Sequence, residues 1–499
     1  MKHLILLFAF MSVCEILFSQ SNFTMVSSTH DYPALKGDQV ITRVYKDNQT
    51  LTHYRHIENE YIHSFIIHKG GQLNAYTKRM QFNLNEGVEP DDPFRKLTVN
   101  DMRIEDDYCY FCGKLTLIGP VMYDINNNPI WLESDIGIVG FFSIPDLIAG
   151  NVTLQYRTYY TTSEFTRLTT WSYMYGQSPC LMVAAIGRLY SQPNPCVLEL
   201  RNINNIWTES LGYINSTDEV FSDILYNTGN LIVASYHQCN GDEGNYQYEP
   251  NHWKFIFHRA PSSGFCDNYG EESAAEYDTY GLTTSIGTTG WHNSNVQLRL
   301  CKLKNGRTCM AYGAMKSSGH PNVLLFSMLN PLDMIDTIMA LHTDVGYSIV
   351  HDMVGLLGGG NTVAVLTSCM DVEVGRLHFP MISTTATTFP QIDIYGYMKR
   401  SVDKWDSYSA ITGGYNATEK VIWGFYQNRT SLYPTNPAIS CFICGYSNCE
   451  AIGGLEAEKI SYEWNKEFHN HILLWNNKDC IFTSEVSEDI CTKYRIITQ

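Results

Sequence analysis

Carboxylates recur at one place in a repeated pattern. Thr98 to Gly113 reads TVNDMRIEDDYCYFCG, Val220 to Ser235 reads VFSDILYNTGNLIVAS, and Val350 to Leu366 reads VHDMVGLLGGGNTVAVL. In each, an Asp (Asp101, Asp223 or Asp352) precedes Met or Ile, then a polar or glycine break, then a short apolar run. Carboxyl groups gathered from several repeats are what glycoside hydrolysis requires, because such enzymes set two of them across the scissile bond. The competing role is structural: an Asp at a repeated backbone position fixes a turn by accepting bonds from its own main chain. The structural role is the expectation here, so no catalytic residue is assigned.

A second chemistry-bearing segment runs from Cys239 to Gly281. It interleaves acids (Asp242, Glu243, Asp267, Glu271, Glu272, Glu276, Asp278) with aromatics (Tyr246, Tyr248, Trp253, Tyr269, Tyr277, Tyr280). Aromatic faces stack on sugar rings or fill protein pockets, and carboxylates accept from hydroxyl or cationic donors. Inserts longer than about 15 residues in a compact domain tend to be functional. Tyr246, Tyr248, Tyr269, Glu271 and Glu272 are therefore the candidate binding residues, on a loop that Cys239 and Cys266 would close.

The first residues, MKHLILLFAFMSVCEILFSQS, have the polar start, ten-residue apolar stretch (Leu4 to Val13) and small cleavage positions of a secretory signal. Residues 1–20 are expected to be removed, leaving a secreted or cell-surface chain. Val13 stands before Cys14 where lipoprotein signals carry a small residue, so a lipid anchor at Cys14 is not expected. No later segment reaches 18 unbroken apolar residues, which argues against a transmembrane helix. The net charge of −17 opposes binding to nucleic acid and to anionic membranes. Six N-x-S/T sequons start at Asn22, Asn48, Asn151, Asn215, Asn416 and Asn428.

Fifteen cysteines are present, and an exported chain oxidises several of them. Cys441, Cys444, Cys449, Cys480 and Cys491 crowd the tail. Four thiolates there have zinc-like spacing, but the compartment and the odd count favour disulfides. Cys109 and Cys112 sit in a strand, where residues three apart face opposite ways, so they are not expected to meet. Asp124 to Asn128 partly imitates a calcium loop but has Pro129 where glycine is needed and Asp135 in place of the final Glu. His469 and His471 have no partner carboxylate at a recognisable spacing. Neither a metal nor a cofactor is expected. The nucleophile and nucleotide signatures G-x-S-x-G, H-E-x-x-H and Walker A are absent.

The elements that must position these residues are strands. Short runs such as CYFCG, CLMVAAIG, LIVASYH, VLLFSML and VIWGFYQ alternate with Gly, Asn, Asp and Pro. Degenerate copies of the Asp motif span Arg167 to Gly187, Gln297 to Gly313 and Lys404 to Gly424, with Tyr54 to Gly70 as a seventh. A period of roughly 45 to 75 residues fits one four-stranded blade plus loops. The expected fold is all-β: a seven-bladed β-propeller over residues 21–446, in preference to tandem β-sandwiches, with a short cysteine-rich, disulfide-braced extension at 447–499. A leading strand around Asp38 to Tyr45 would let an N-terminal segment complete the last blade. Helical turns are expected only near Pro331 to Ala340 and Glu456 to Lys466.

The V-x-D-M pattern and following apolar run of Val99 to Gly113, with Gly137 to Ile144 after them, resemble uncharacterised secreted β-propeller-like proteins of bacterial surfaces. That resemblance implies a fold and an exported location and supplies no site residues. The function it leaves is a non-catalytic binding protein for a glycan or protein ligand. The alternative is a glycan-active hydrolase or lyase on the same scaffold.

Overall fold

The computed structural model describes residues 94–123, 129–190, 194–216, 218–239, 252–265, 298–303 and 306–316, and beyond these the strands named next. The chain opens with β1 (Thr24–Tyr45), β2 (Gln49–His56), β3 (Ile62–Lys69) and β4 (Lys78–Asn83). Next come β5 (Phe94–Glu105), β6 (Tyr108–Tyr123), β7 (Pro129–Ser143), the short helix α1 (Ile144–Ala149) and β8 (Thr153–Tyr159). A third set is β9 (Thr162–Tyr175), β10 (Ser178–Leu189), β11 (Pro195–Ile203) and β12 (Ile206–Tyr213). A fourth is β13 (Glu219–Asn227), β14 (Asn230–Cys239), β15 (His252–Pro261) and β16 (Ser273–Asp278).

The fifth set is β17 (Thr288–Thr289), β18 (Arg299–Lys302), β19 (Thr308–Lys316), β20 (Pro321–Met328) and β21 (Ile335–His342). The sixth is β22 (Ser348–Gly355), β23 (Val363–Cys369), β24 (Gly375–His378) and β25 (Asp393–Ile394). Then follow β26 (Lys404–Gly413), β27 (Val421–Thr430) and β28 (Ala438–Gly445). The tail carries β29 (Ala457–Ile460), β30 (Lys466–His469), β31 (Leu474–Asp479) and β32 (Thr483–Val486).

These strands form antiparallel sheets, each with a run of consecutive strands at its centre, to most of which strands from the two ends of the chain are added. β1 joins two of them. Its first part, from Thr24 to Lys36, pairs with β28, and its second, from Gly37 to Tyr45, pairs with β2. The N-terminal strand thus completes the sheet begun by the last repeat. The innermost strands touch in succession, β1 with β5, then β9, β13, β18, β22 and β26, and β26 touches β1.

One apolar core fills each gap between neighbouring sheets in the best-described part of the chain. Alternation along a single strand feeds two cores at once. Cys109 and Phe111 point into the core shared with Leu51 and Phe65, whereas Tyr110 and Cys112 point into the core shared with Phe165 and Val183. Met182, Ala184 and Ile186 face Leu231 and Val233, while Ile232, Ala234 and Tyr236 face Met310 and Tyr312. A strand buried on both faces must be apolar at consecutive positions, which is why runs such as CLMVAAIG show no period. The opposite facing of Cys109 and Cys112 holds as expected.

The Asp motif is the innermost hairpin of its sheet: β5–β6, β13–β14 and β22–β23. Tyr54 to Gly70 instead falls across β2–β3, so the matching hairpin there is β1–β2. The register slips by one residue immediately before each Asp, between Val99 and Asp101, Phe221 and Asp223, and Val350 and Asp352. The Asp therefore follows a β-bulge in a strand, and it is this bulge that recurs. Opposite the bulge of β5 lies Gly113, where a Cβ would stand 1.8 Å from the Thr98 carbonyl oxygen. Gly187 meets the Glu164 carbonyl in the same way at 2.2 Å. At these two positions the carbonyl across the hairpin requires glycine, whereas Ser235 and Thr367 stand opposite the bulges of β13 and β22.

Three expectations are corrected. Residues 335–342 form strand β21, because β-branched Ile335, Thr337 and Ile338 pair with β20. Glu456 to Lys466 holds β29 and the start of β30, again strands. Among the described residues the helix that does form, α1, directly follows β7, where no helical turn was expected. Ser143 caps it by accepting from the Asp146 N–H, Pro145 lies in its first turn, and Gly150 ends it at φ 90°.

The tail also differs from a separate appendage. β29 pairs with β21, β30 with β16, β31 with β12 and β32 with β8. Running backwards past four successive sheets, it adds an outermost strand to each. Cys441 and Cys444 lie in β28. Cys449, Cys480 and Cys491 are outside the described residues, as is the 124–128 segment.

Gly113→Ala should destabilise the protein by about 2 kcal/mol or more, since backbone on both sides must move. Urea unfolding would read this as a lower midpoint, with Tyr160→Ala, at an exposed turn, as the unaffected control.

Candidate functional site

The innermost strands bring together a cluster of opposite charges. Asp101 on β5 is fully buried, and its oxygens receive Arg43 at 2.5 Å, Arg103 at 3.4 Å and Arg167 at 3.8 Å. Arg43 on β1 also reaches Asp352 on β22 at 3.4 Å, a partner 309 residues away, and its Nε donates to the Met102 carbonyl at 2.7 Å. Arg299 on β18 is buried and donates to the Leu298 carbonyl at 2.9 Å.

The three Asp side chains are already committed. One oxygen of each accepts from the next residue's own N–H: Met102 at 2.9 Å, Ile224 at 2.9 Å and Met353 at 3.0 Å. The second oxygen of Asp101 accepts from the Leu168 N–H on β9, at 3.2 Å. That of Asp223 accepts from the Leu300 N–H on β18, at 2.7 Å. Each of these two Asp residues thus staples its strand to the innermost strand of the following sheet. Leu168 and Leu300 follow Arg167 and Arg299, so the equivalent position reads Asp101, Arg167, Asp223, Arg299, Asp352 on β5, β9, β13, β18 and β22. The charges alternate in sign from β5 to β22.

Burial alone would raise the Asp101 pKa, but Arg103, Arg43, Arg167 and the Leu168 N–H outweigh it and hold the carboxyl at about 2. Asp223 goes the other way: burial raises it despite Arg167, Arg299 and Arg103. Burial and the neighbouring Arg167 lower Arg299 to about 9. A carboxyl near 2 is permanently ionised and cannot serve as a general acid at neutral pH.

Other buried carboxylates are likewise engaged. Glu199 accepts from the Phe265 N–H at 2.7 Å, and Glu209 holds Arg157 at 2.6 Å and the Tyr159 hydroxyl at 2.9 Å. Glu219, Ser235 and His258 have the residue types of a hydrolase triad but the wrong order. The Ser235 hydroxyl at 2.5 Å and His258 Nε2 at 2.6 Å both meet the same Glu219 oxygen. A nucleophilic serine needs the histidine, with the carboxylate behind it. Asp135, the last position of the partial calcium loop, is taken by Lys114 at 2.7 Å and Thr116 at 2.5 Å. Among the described residues no group of His, Cys, Asp and Glu has metal-binding geometry.

Exposed aromatic and apolar side chains collect at the hairpin tips, a feature the sequence reading missed. Met174 and Tyr175 at the β9–β10 turn are 61% and 48% exposed, Ile206 at the β11–β12 turn 67%, and Tyr108 at the β5–β6 turn 42%. The Arg201 guanidinium lies 5.3 Å from the Tyr175 ring centre, and Trp171 stacks on Tyr226 at 5.0 Å. The tips are tight: Asp106, Asn204, Asn205 and Thr228 all have positive φ, as two-residue hairpin turns demand. Asn204 and Asn205 were a legible hairpin signal in the sequence.

Tyr246, Tyr248, Tyr269, Glu271 and Glu272 lie outside the described residues. The segment that holds them is not one loop. β15 and β16 run through it as core strands. Cys239 pairs with His252 at the first residue of β15, whereas Phe265 comes after its last. Cys266 also lies outside the described residues. Trp253, Tyr277 and Glu276 belong to the strands themselves, with Tyr277 fully buried.

No family model matches the chain, and no curated protein matches it in sequence. Among solved structures it is similar to a mutant of Trypanosoma rangeli sialidase displaying trans-sialidase activity, at 8% identity and a TM-score of 0.30. The match covers 85% of this chain and 59% of the sialidase, so the chain spans under two thirds of that protein's length. Nothing about the site is transferred at that similarity.

Asp101→Asn should leave guanidinium groups buried without their counter-charge and cost about 3–5 kcal/mol at neutral pH. Because the folded carboxyl titrates below its ordinary value, its contribution is full above about pH 4 and fades as pH falls toward about 2. Urea midpoints of the two proteins should converge over that window. A gap that is constant with pH would contradict the assignment.

Proposed function

We propose that the chain is a secreted or surface-associated, seven-bladed β-propeller that binds a glycan or protein and carries out no catalysis. The unbroken succession of touching innermost strands, with β1 shared between the first and last sheets, supports the closed ring. Each sheet is then a blade, and a ring of blades buries every sheet face without a separate core.

One observation carries the choice of binding over hydrolysis. The carboxylates at the axis, where a propeller enzyme would place its acid and base, are spent on backbone N–H groups and guanidinium groups. They are parts of the frame. Recognition then falls to loops and hairpin tips at the ends of the blades. The exposed group of Met174, Tyr175 and Ile206 beside Arg201 has the flat apolar faces and cationic edge that suit a sugar or a protein side chain. Tyr246, Tyr248, Tyr269, Glu271 and Glu272 are the further candidates in the same class. Disulfides among Cys441, Cys444, Cys449, Cys480 and Cys491 belong to this exported reading.

A glycan array combined with a reducing-sugar release assay on the bound hits tests the proposal. The expected result is binding without release of reducing ends. Binding should fall at least about tenfold in Tyr175→Ala or in the Tyr246, Tyr248 and Tyr269 triple alanine variant, with the unfolding temperature unchanged. Sugar release that survives purification to homogeneity would replace the binding reading with the hydrolase one.

A further inference from the structure

Two cysteines outside the tail stand directly opposite each other. Cys301 on β18 is the register partner of Cys309 on β19. Leu303 and Arg307, two positions nearer the turn, share a backbone bond of 2.9 Å from the Leu303 N–H to the Arg307 carbonyl. In an antiparallel ladder such bonded pairs recur every second residue, so Cys301 and Cys309 are also a bonded pair, with Cα atoms about 5.5 Å apart. That is the separation at which disulfides most often form. Residues directly opposite project to the same face, and both side chains enter the small core with Ala311, Val350, Met353 and Val363.

Both are free thiols here, as are Cys109, Cys112, Cys180 and Cys196. No pair among those four is a register partner, and Cys109 and Cys112 face different cores. We propose that Cys301 and Cys309 are an oxidisable pair that closes a cross-strand disulfide between β18 and β19. The oxidant is a small disulfide of the glutathione class. One thiolate attacks it, displacing one small thiol and leaving a mixed disulfide. The second thiolate attacks the protein sulfur and displaces the other small thiol. The protein loses two hydrogens and the small disulfide becomes two thiols.

Timing follows from the fold. The β18–β19 hairpin is local, closed by a turn in which the Gly306 N–H donates to the Leu303 carbonyl at 3.0 Å and Gly306 has φ 82°. β22 and β23, which cover the pair, come later in the chain. Once they pack, Cys301 is 5% exposed and Cys309 is not exposed. Burial and the neighbouring thiol then raise the Cys301 pKa well above the ordinary thiol range, so little thiolate remains for exchange. Oxidation accordingly precedes packing, and the finished bond resists reduction until the protein unfolds.

The full chain, refolded in a mixture of oxidised and reduced glutathione, is denatured, alkylated without reductant and digested with trypsin. Cleavage after Arg299, Lys302, Arg307 and Lys316 separates the two cysteines. The proposal expects the peptides Leu300–Lys302 and Thr308–Lys316 to appear joined, and to separate after reduction. It also expects native protein, before denaturation, to keep the bond in a mild reductant. Full alkylation of both cysteines, or either one linked mainly to a different cysteine, would overturn it.

Discussion

The buried ion pair between Arg43 and Asp101 is the interaction on which the arrangement of innermost strands depends. Removing charges from water is costly, and the cost is recovered only when each charge finds close partners and hydrogen bonds. Here the partners come from different sheets: Arg43 from β1, Asp101 from β5, Arg167 from β9, and Asp352 from β22. Slipping one strand along its neighbour would strand a charge in the interior. The same Asp fixes the register locally, because it caps its own bulge and accepts a backbone N–H from the next sheet. Apolar burial drives the sheets together but is indifferent to small sliding. The charged axis supplies the specificity.

Around that axis, packing is repetitive. Among the described residues the sheets built on β5–β8, β9–β12, β13–β16 and β18–β21 each feed cores on both of their sides, so the cores reinforce one another. The open edges are handled by the tail. β29, β30, β31 and β32 cover the outer edges of four sheets, where unpaired N–H and C=O groups would otherwise invite another chain. The N-terminal strand performs a related task by pairing with β28 on one part and β2 on the other. The two ends of the polypeptide thus contribute more to joining the sheets than their length suggests.

Much of this was legible in the sequence. The recurring Asp, the N-terminal strand, the all-β class and the divergent facing of Cys109 and Cys112 follow from the two-residue period of a strand and from repetition. The sign alternation was hidden because the degenerate copies carry Arg167 and Arg299 where the clear copies carry Asp, and a search for identity passes over its electrostatic complement. A helical turn was expected near Pro331 to Ala340, where Met339 and Ala340 favour helices, yet pairing of residues 335–342 with β20 overrides that preference. The tail's short strands gave no signal of their partners, which lie more than a hundred residues upstream. For the site, composition identified aromatic and acidic residues between Cys239 and Gly281. It did not reveal that two core strands, β15 and β16, run through the segment. Exposure at Tyr175 and Ile206 is a property of hairpin tips that periodicity alone does not single out.

Asp101, Asp223 and Asp352 are thus committed to backbone N–H groups and guanidinium groups that hold strands of different sheets together. Arg43 and Asp352 are 309 residues apart in sequence, and their bond joins β1 directly to β22. A double-mutant cycle of Arg43→Met and Asp352→Asn, read by urea unfolding, tests this most directly. A coupling energy of about 1 kcal/mol or more is predicted, as for groups within one ion-pair network. Additivity to within about 0.3 kcal/mol, the behaviour of distant independent sites, would contradict it.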